Sequence, residues 1–351
     1  MPATLQPRPM RAKHLVAKGD PEQTKKNYGY VGEHLRTDGF MLQQPKIDGM
    51  RILFDDGVAR SRTWLPWTSK TLQAFAAAYP DFLHGWDCEG LPGLHDTTEV
   101  DPDAFRRAMS GIRAADGSKE MTLFLFDNWD HSWSKIRYEQ RLQALKDDIQ
   151  EKVSNLGDSH WEHGYDGIIF KGTDYIVKVI ICPTTQVRSI DEIEAYHLDA
   201  VARGWEGSML RRWVAPYKYN QATVREGWLI KLKDTEDAEA EIIGYEPAYE
   251  NTNEATTNAL GLTQRSAHKA NLVPKDYLGA FLVRLVSDPS VEFSIGVLRG
   301  YTIEDRRDLL RQAETGALLG RLIKFEHQGY GGGYDKPRTP VMVSFRDKID
   351  V

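Results

Sequence analysis

Lys46-Ile47-Asp48-Gly49, with Arg51 close behind, lies between two strand-like runs, Phe40-Met41-Leu42 and Arg51 to Phe54. An Asp-Gly pair in that setting reads as a tight turn, which sets a candidate lysine nucleophile against a second cation. A lysine attacks only after losing its proton, and desolvation and neighbouring cations favour that loss. Arg51, Lys231 and Lys233 are the cations available for this purpose. By itself the motif is also what a surface lysine in a turn would show, since such short patterns recur by chance in roughly one chain in ten.

An ordered set of pieces follows: Ser61-Arg62-Thr63, Asp87-Cys88-Glu89-Gly90, Phe124-Leu125-Phe126-Asp127, Glu206-Gly207 and Lys231-Leu232-Lys233. Asp87 and Glu89 alternate on a strand and face one side. Lys231 and Lys233 do the same, and two like charges side by side repel unless an anion lies between them. Glu89 and Glu206 stand among apolar residues (Trp86, Leu91, Trp205, Met209), where an unpaired carboxylate is costly. A divalent cation such as Mg²⁺ would relieve that cost, with Glu206 and Glu89 as its ligands.

With 351 residues and 41% hydrophobic content, the chain can bury a full core and is expected to form two domains. No apolar run approaches the length of a bilayer span, and Met1 to Arg11 lacks the apolar core of a signal peptide, so a cytoplasmic protein is expected. Cys88 and Cys182 stand far apart, which suggests neither a disulfide framework nor a zinc knuckle. The net charge of −6 does not advertise nucleic-acid binding, but local patches decide that matter. Cations crowd both ends: Arg8, Arg11, Lys13, Lys18, Lys25 and Lys26, then Arg321, Lys324, Lys336, Arg338, Arg346 and Lys348.

Strands and helices interleave up to about residue 235. Asp55-Asp56-Gly57 reads as a hairpin turn into a strand from Val58 to Arg62. Leu72, Phe75, Ala76 and Tyr79 predict a helix behind a Thr68/Ser69 cap, and Asp101-Pro102 opens a short one. Tyr138, Leu142, Leu145, Ile149 and Val153 mark the apolar face of a longer helix. Ser189 to Glu192 reads as a capping box starting a helix that stops near Gly204. After Lys233 come five strand-like runs, Glu239 to Tyr245, Ala280 to Val286, Val291 to Ile295, Gly320 to Glu326 and Val341 to Phe345. One helix, Ile303 to Ala313, stands among them with Thr302 and Asp305 at its start, a pattern that fits an OB-type barrel. Asp234 to Asp237 is the expected linker and hinge. Glu250 to Pro274 reads as a long polar loop, and its Arg265, His268 and Lys269 suit a grip on duplex DNA.

The pieces around Lys46, in their order, resemble the covalent nucleotidyltransferases, above all the bacteriophage-type ATP-dependent DNA ligases. The resemblance extends over nearly the whole chain and takes in Arg8-Pro9-Met10, Tyr217-Lys218, Thr223 to Gly227 and, more loosely, Arg338 and Arg346-Asp347-Lys348. It implies an α+β fold: a nucleotidyltransferase (ATP-grasp-like adenylation) domain of antiparallel sheets with helices over 1–236, then an OB-fold β-barrel domain over 237–351.

The implied activity is sealing of nicked duplex DNA in replication, repair or recombination, by a monomer that uses ATP and Mg²⁺ or another divalent cation. The cysteine zinc site of NAD-dependent ligases has no counterpart here, so ATP is the expected cofactor. By the resemblance, Lys46 becomes a lysine–AMP, with Asp48, Arg51, Lys231 and Lys233 as catalytic partners. Gln44, Lys46, Ile47, Arg51, Glu89, Phe126, Lys231, Lys233, Arg346 and Lys348 would hold the nucleotide, with Phe126 stacked on adenine. Arg62 would hold the nick's 5′-phosphate. Trp64, Pro66 and Trp67 depart from the commoner pattern beside it. An RNA ligase or a capping enzyme would share the lysine motif, and a non-catalytic OB-type nucleic-acid-binding protein is the reading from another class.

Overall fold

The computed structural model describes residues 8–17, 20–97, 111–155, 161–163, 167–234, 236–257, 263–266, 271–330 and 336–346. Lys18, the Asp101-Pro102 helix start, His268, Lys269, Asp347 and Lys348 lie outside the described residues. The chain divides into two units, Met1–Lys233 and Asp234–Val351. Glu236 and Asp237, read as linker, open the first strand of the second unit, Glu236–Asn251. Among the described residues no helix is long and apolar enough to cross a membrane.

The first unit holds two sheets. One has five strands in the order Lys13–His14, Ile230–Leu232, Ser208–Arg212, Met41–Pro45 and Thr185–Val187. The other has seven, in the order Val58–Arg60, Met50–Asp55, Trp86–Pro92, Glu120–Asn128, Ile176–Ile181, Ile168–Lys171 and Trp161–His163. The sheets are mostly antiparallel, as expected, but Glu120–Asn128 pairs with Ile176–Ile181 in parallel, and so does Lys13–His14 with Ile230–Leu232. The lysine motif departs from expectation in a way that matters. It is not a tight turn within one sheet: it carries the chain from Met41–Pro45 in the first sheet to Met50–Asp55 in the second. Lys46 therefore sits where the chain changes sheets.

Helix formation follows local chemistry. Ser69 Oγ accepts from Leu72 N to cap Lys70–Ala78, whose Leu72, Phe75 and Ala76 are buried. Tyr138–Asn155 buries Leu142, Leu145, Ile149 and Val153 along one stripe. At Ile190–Ala202, Ser189 caps Glu192 N, but the Glu192 carboxylate accepts from Arg188 N, so the expected capping box is only half made. Helix Pro21–Asp38 has no counterpart among the sequence expectations, although Asp20 caps it and Gly39 ends it in the left-handed conformation. Two of its four buried side chains, Asn27 and His34, are polar, which breaks the apolar periodicity.

A buried ionic cluster ties the two sheets together. Asp127, on the second sheet, accepts from Arg141 Nε at 2.7 Å and from Arg211 Nη1, on the first sheet, at 2.7 Å. Arg141 also donates to the Ala215 carbonyl at 3.0 Å, and Arg211 stacks over the Tyr138 ring at 4.0 Å. Burial alone would raise the Asp127 carboxyl, yet the two guanidiniums bring it below its ordinary value.

Among its described residues the second unit has a two-stranded sheet, Ala255–Thr257 with Thr263–Arg265, and a six-stranded one in the order Glu292–Ile295, Leu272–Leu285, Glu236–Asn251, Leu322–His327, Val341–Arg346 and Val297–Leu298. Its first and last members are two halves of one run, broken only at Gly296, so the sheet returns on itself. Helix Ile303–Glu314 carries a full Thr302/Asp305 capping box and buries Leu309, Leu310 and Ala313. Glu250 to Pro274 is not the structureless loop expected. Tyr249, Glu250 and Asn251 pair with Pro274, Val273 and Leu272, and Ala255–Thr257 pairs with Thr263–Arg265, so the segment prolongs a β-hairpin.

Asp127→Asn is expected to destabilise the protein by about 3–5 kcal/mol, because two guanidiniums lose their counter-charge in a buried site. Denaturant unfolding followed by tryptophan fluorescence measures that loss.

Candidate active site

The pairing of Met41–Pro45 with Ser208–Arg212 runs one step past both strands: Lys46 N donates to Gly207 O at 2.9 Å, and Glu206 N donates to Lys46 O at 3.2 Å. This sheet ladder sets Glu206 beside Lys46 although 160 residues separate them. Lys46 Nζ pairs with Glu206 Oε2, and Lys233 Nζ pairs with Oε1 of the same carboxylate. One buried acid thus holds two lysines. Burial pushes the Glu206 carboxyl up, but Lys46 and Lys233 outweigh it and leave it below its ordinary value. Lys231 lies on the Ile230–Leu232 strand, two residues before Lys233, and burial with the charges of Lys46, Lys233 and Arg62 lowers it. Burial lowers Lys233 as well, while Glu206 and Asp48 oppose the shift.

Two glycines are needed here for close approach. A Cβ on Gly207 would stand 2.3 Å from the Leu232 carbonyl oxygen, and its φ is +145°. The neighbouring strand lies that close to Gly207, and Glu206 reaches Lys233 just beyond it. A Cβ on Gly49 would stand 2.5 Å from the Gly90 carbonyl oxygen, which lets the motif lie against the Trp86–Pro92 strand.

Arg51 is not a free cation beside Lys46. Its Nε donates to Asp87 Oδ1 at 2.6 Å and its Nη1 to the Met10 carbonyl at 3.0 Å, while Tyr217 Oη donates to Asp87 Oδ2 at 2.7 Å. Burial opposes its charge, yet Asp87 holds the guanidinium well above its ordinary value. The Arg51 guanidinium also lies 5.1 Å from the Phe126 ring centroid. The Arg8-Pro9-Met10 and Tyr217 segments therefore meet at Arg51. Glu89 is directly across from Arg51 in the strand pairing. Burial pushes its carboxyl up to about 7 against the pull of Lys46 and Arg51, with Glu206 and Asp87 adding to the rise.

The other predicted residues divide. Gln44 is buried, with its side-chain nitrogen donating to Tyr138 Oη and Thr184 Oγ1, each at 2.8 Å. Ile47 belongs to the hydrophobic core of the second sheet. Arg62 is exposed and within electrostatic reach of Lys231. Trp64, one of the departures from the commoner pattern, is buried, at φ +64°, edge-on to Trp129 with ring centroids 4.8 Å apart. It anchors the Arg62 loop from beneath. In the second unit, Arg346 Nε lies 3.6 Å from Glu239 Oε1, and the Arg265 guanidinium donates to the Asn253 carbonyl. Sequence reasoning missed the Asp127, Arg141 and Arg211 cluster and the hydrogen bond from Tyr217 to Asp87. Asp127 and Tyr217 stood inside quoted motifs, but nothing local identifies their partners.

Lys46, Lys233 and Arg62 all lie within electrostatic reach of Lys231, a grouping of cations suited to a polyphosphate. Glu89 and Glu206 carry oxygen donors of the kind hard cations prefer. Neither a protein-family model nor a curated relative matches the sequence. Solved structures do match. A Lig E DNA ligase aligns with 88% of this chain and 93% of its own, at 18% identity and a TM-score of 0.56. The fold is that of the DNA ligases. The structure called Pmar-Lig_PreS3 covers 96% of this chain and 67% of its own, at 15% identity and a TM-score of 0.59. The Chlorella virus DNA ligase–adenylate covers 97% and 99%, at 22% identity and a TM-score of 0.47.

The Glu89 carboxyl yields a pH prediction. Its folded-state value of about 7 lies above the ordinary 4.5, so its contribution to stability is present below about 4.5 and is lost as pH rises through 7. Glu89→Gln should therefore unfold at a higher temperature than the parent at pH 8, by on the order of 2 kcal/mol in stability, with the gain vanishing near pH 5. Thermal melts of both proteins across that range measure it.

Proposed function

We propose that this chain is an ATP-dependent DNA ligase that seals nicks in duplex DNA through a lysine–AMP intermediate. The observation that carries the reading is the Glu206 carboxylate joining Lys46 to Lys233, with Lys231 beside them on the same strand. A nucleophilic lysine next to an anion-binding pair is what attack on a nucleotide α-phosphate requires.

In the first step Lys46 Nζ, having shed a proton, forms a bond to the α-phosphorus of ATP as the bond to the bridging oxygen breaks and pyrophosphate leaves. Lys231 and Lys233 neutralise the charge that builds on the phosphate oxygens. Glu206 positions Lys46 before ATP binds. Phe126 offers its ring to the adenine, and Arg51, anchored by Asp87, keeps that ring in place. Glu89 and Glu206 would hold a Mg²⁺ ion, which supplies Lewis-acid charge at the phosphate. AMP then passes to the 5′-phosphate at the nick, held by Arg62, and the 3′-hydroxyl displaces AMP to close the strand.

In this reading the first unit, to Lys233, forms the nucleotidyltransferase domain and the second, from Asp234, an OB-type barrel, working as a monomer in the cytoplasm. The self-closing strand order, with a helix between the third and fourth strands of the barrel, supports the OB assignment. Arg346 and Lys348 would act on the leaving pyrophosphate. The hairpin bearing Arg265, with Lys269 beyond it, would meet the duplex. Arg265 first has to exchange its Asn253 carbonyl partner for a DNA phosphate.

Incubation with labelled ATP and Mg²⁺, followed by a denaturing gel, should show covalent label on the wild type. Lys46→Ala should abolish that label and the sealing of a nick, and impair sealing of a pre-adenylated nick less. Parallel nicked DNA, RNA and hybrid duplexes report the substrate. Covalent AMP on the Lys46→Ala protein would overturn the assignment of the nucleophile.

A further inference from the structure

A second group of ligand-type side chains stands at the opposite end of the Met50–Asp55 strand from the lysine motif, about 16 Å along it. Asp55 and Asp56 lead into the hairpin turn before Val58–Arg60, and His84 follows the short helix Pro80–Leu83. One ligand atom from each of the three lies within 4.8 Å of the others. His84 Nδ1 is 3.0 Å from Asp56 Oδ1 and 4.0 Å from Asp55 Oδ1.

The imidazole is oriented from behind. Its Nε2 lies 3.0 Å from Asp130 Oδ2, and an ionised carboxylate only accepts, so Nε2 carries the proton. Asp56 N, at 3.3 Å, donates to Nδ1, which is consistent with a lone pair there. Nδ1 and one oxygen from each of the two aspartates converge there. A carboxylate on the far nitrogen of a histidine is the arrangement that fixes a metal ligand's tautomer. Arg60 Nε, at 2.7 Å, occupies Asp55 Oδ2 and leaves Oδ1 for an ion.

We propose that Asp55, Asp56 and His84 bind a divalent transition-metal ion, with Asp130 as the positioning carboxylate. Two bonds of about 2.1 Å span at most about 4.2 Å, so the ligand atoms need to close by less than 1 Å. Asp56, with its side chain 87% exposed, is free to make that movement. One imidazole with two carboxylates selects Zn²⁺ or Co²⁺ over Mg²⁺, which prefers oxygen alone. The bound ion would clamp the Asp56 hairpin and the His84 turn together. It would be separate from any Mg²⁺ held by Glu89 and Glu206.

Titration of the untagged full chain with Co²⁺ in excess Mg²⁺, followed by visible absorption and calorimetry, tests this site. One equivalent of Co²⁺ is expected to bind the wild type. Asp56→Asn and His84→Gln should each weaken it at least about tenfold, and Asp130→Asn should weaken it by roughly 10–100-fold. Asparagine tolerates the positive φ of 45° at position 56, so that variant keeps the turn. Glu206→Ala should leave the Co²⁺ affinity unchanged, which separates this result from the fate of the ligase reading. No uptake of Co²⁺ by the wild type, or equal affinity in Asp56→Asn and His84→Gln, would overturn the proposal. Either result would mean that His84 is simply an imidazole among carboxylates.

Discussion

One buried carboxylate, Glu206, holds Lys46 and Lys233 at once, and the candidate site is organised around it. Two lysines brought this close in a poorly solvated place repel each other, and a carboxylate alone there would be driven to protonate. Joined, the three groups satisfy one another while the first unit folds. In the proposed function an incoming phosphate would replace the carboxylate as the partner of the lysines. The backbone bonds from Lys46 to Gly207 and from Glu206 to Lys46 make the geometry a consequence of sheet register, not of flexible side chains.

Two further ionic groups keep that register. Asp127 joins Arg141 to Arg211 and so fastens one sheet to the other. Asp87 fastens Arg51 beneath Phe126, with Tyr217 Oη and the Met10 carbonyl completing the set. Buried ion pairs of this kind add little net stability over apolar packing, but they penalise every arrangement that separates them. The lysine motif crosses from one sheet to the other, so a slip between the sheets would displace Lys46. The second unit depends instead on an apolar core of Phe281, Val283, Ile323, Phe325 and Met342.

Regular elements with clean periodicity were legible in the sequence. Tyr138–Asn155 announces itself through Leu142, Leu145, Ile149 and Val153, and the Thr302 helix through its cap. Helix Pro21–Asp38 escaped because Asn27 and His34 occupy positions on its buried face, where Asn27 Nδ2 donates to the Leu15 carbonyl at 2.7 Å. The candidate site was legible as residue types but not as pairings. Glu206 was legible as a carboxylate among apolar residues, but only the long-range ladder brings Lys46 and Lys233 to it. Gly49 was read as part of a turn, whereas the contacts that demand glycine at 49 and 207 come from Gly90 and Leu232, distant in sequence. The hairpin from Glu250 to Pro274 looked like a loop because Asn and Thr dominate it, yet Asn251, Asn253 and Ser266 knit its base together by hydrogen bonds.

The central claim is that Glu206 and Lys233 act on Lys46 as one unit. A double-mutant cycle on the single-turnover rate of covalent adenylation, using Glu206→Gln, Lys233→Gln and the double variant, tests it most directly. If the three side chains form one unit, the double variant should react little more slowly than the slower single variant, with a coupling of about 1–3 kcal/mol. Rate losses that simply add would contradict the claim and would leave Glu206 and Lys233 as independent contributors.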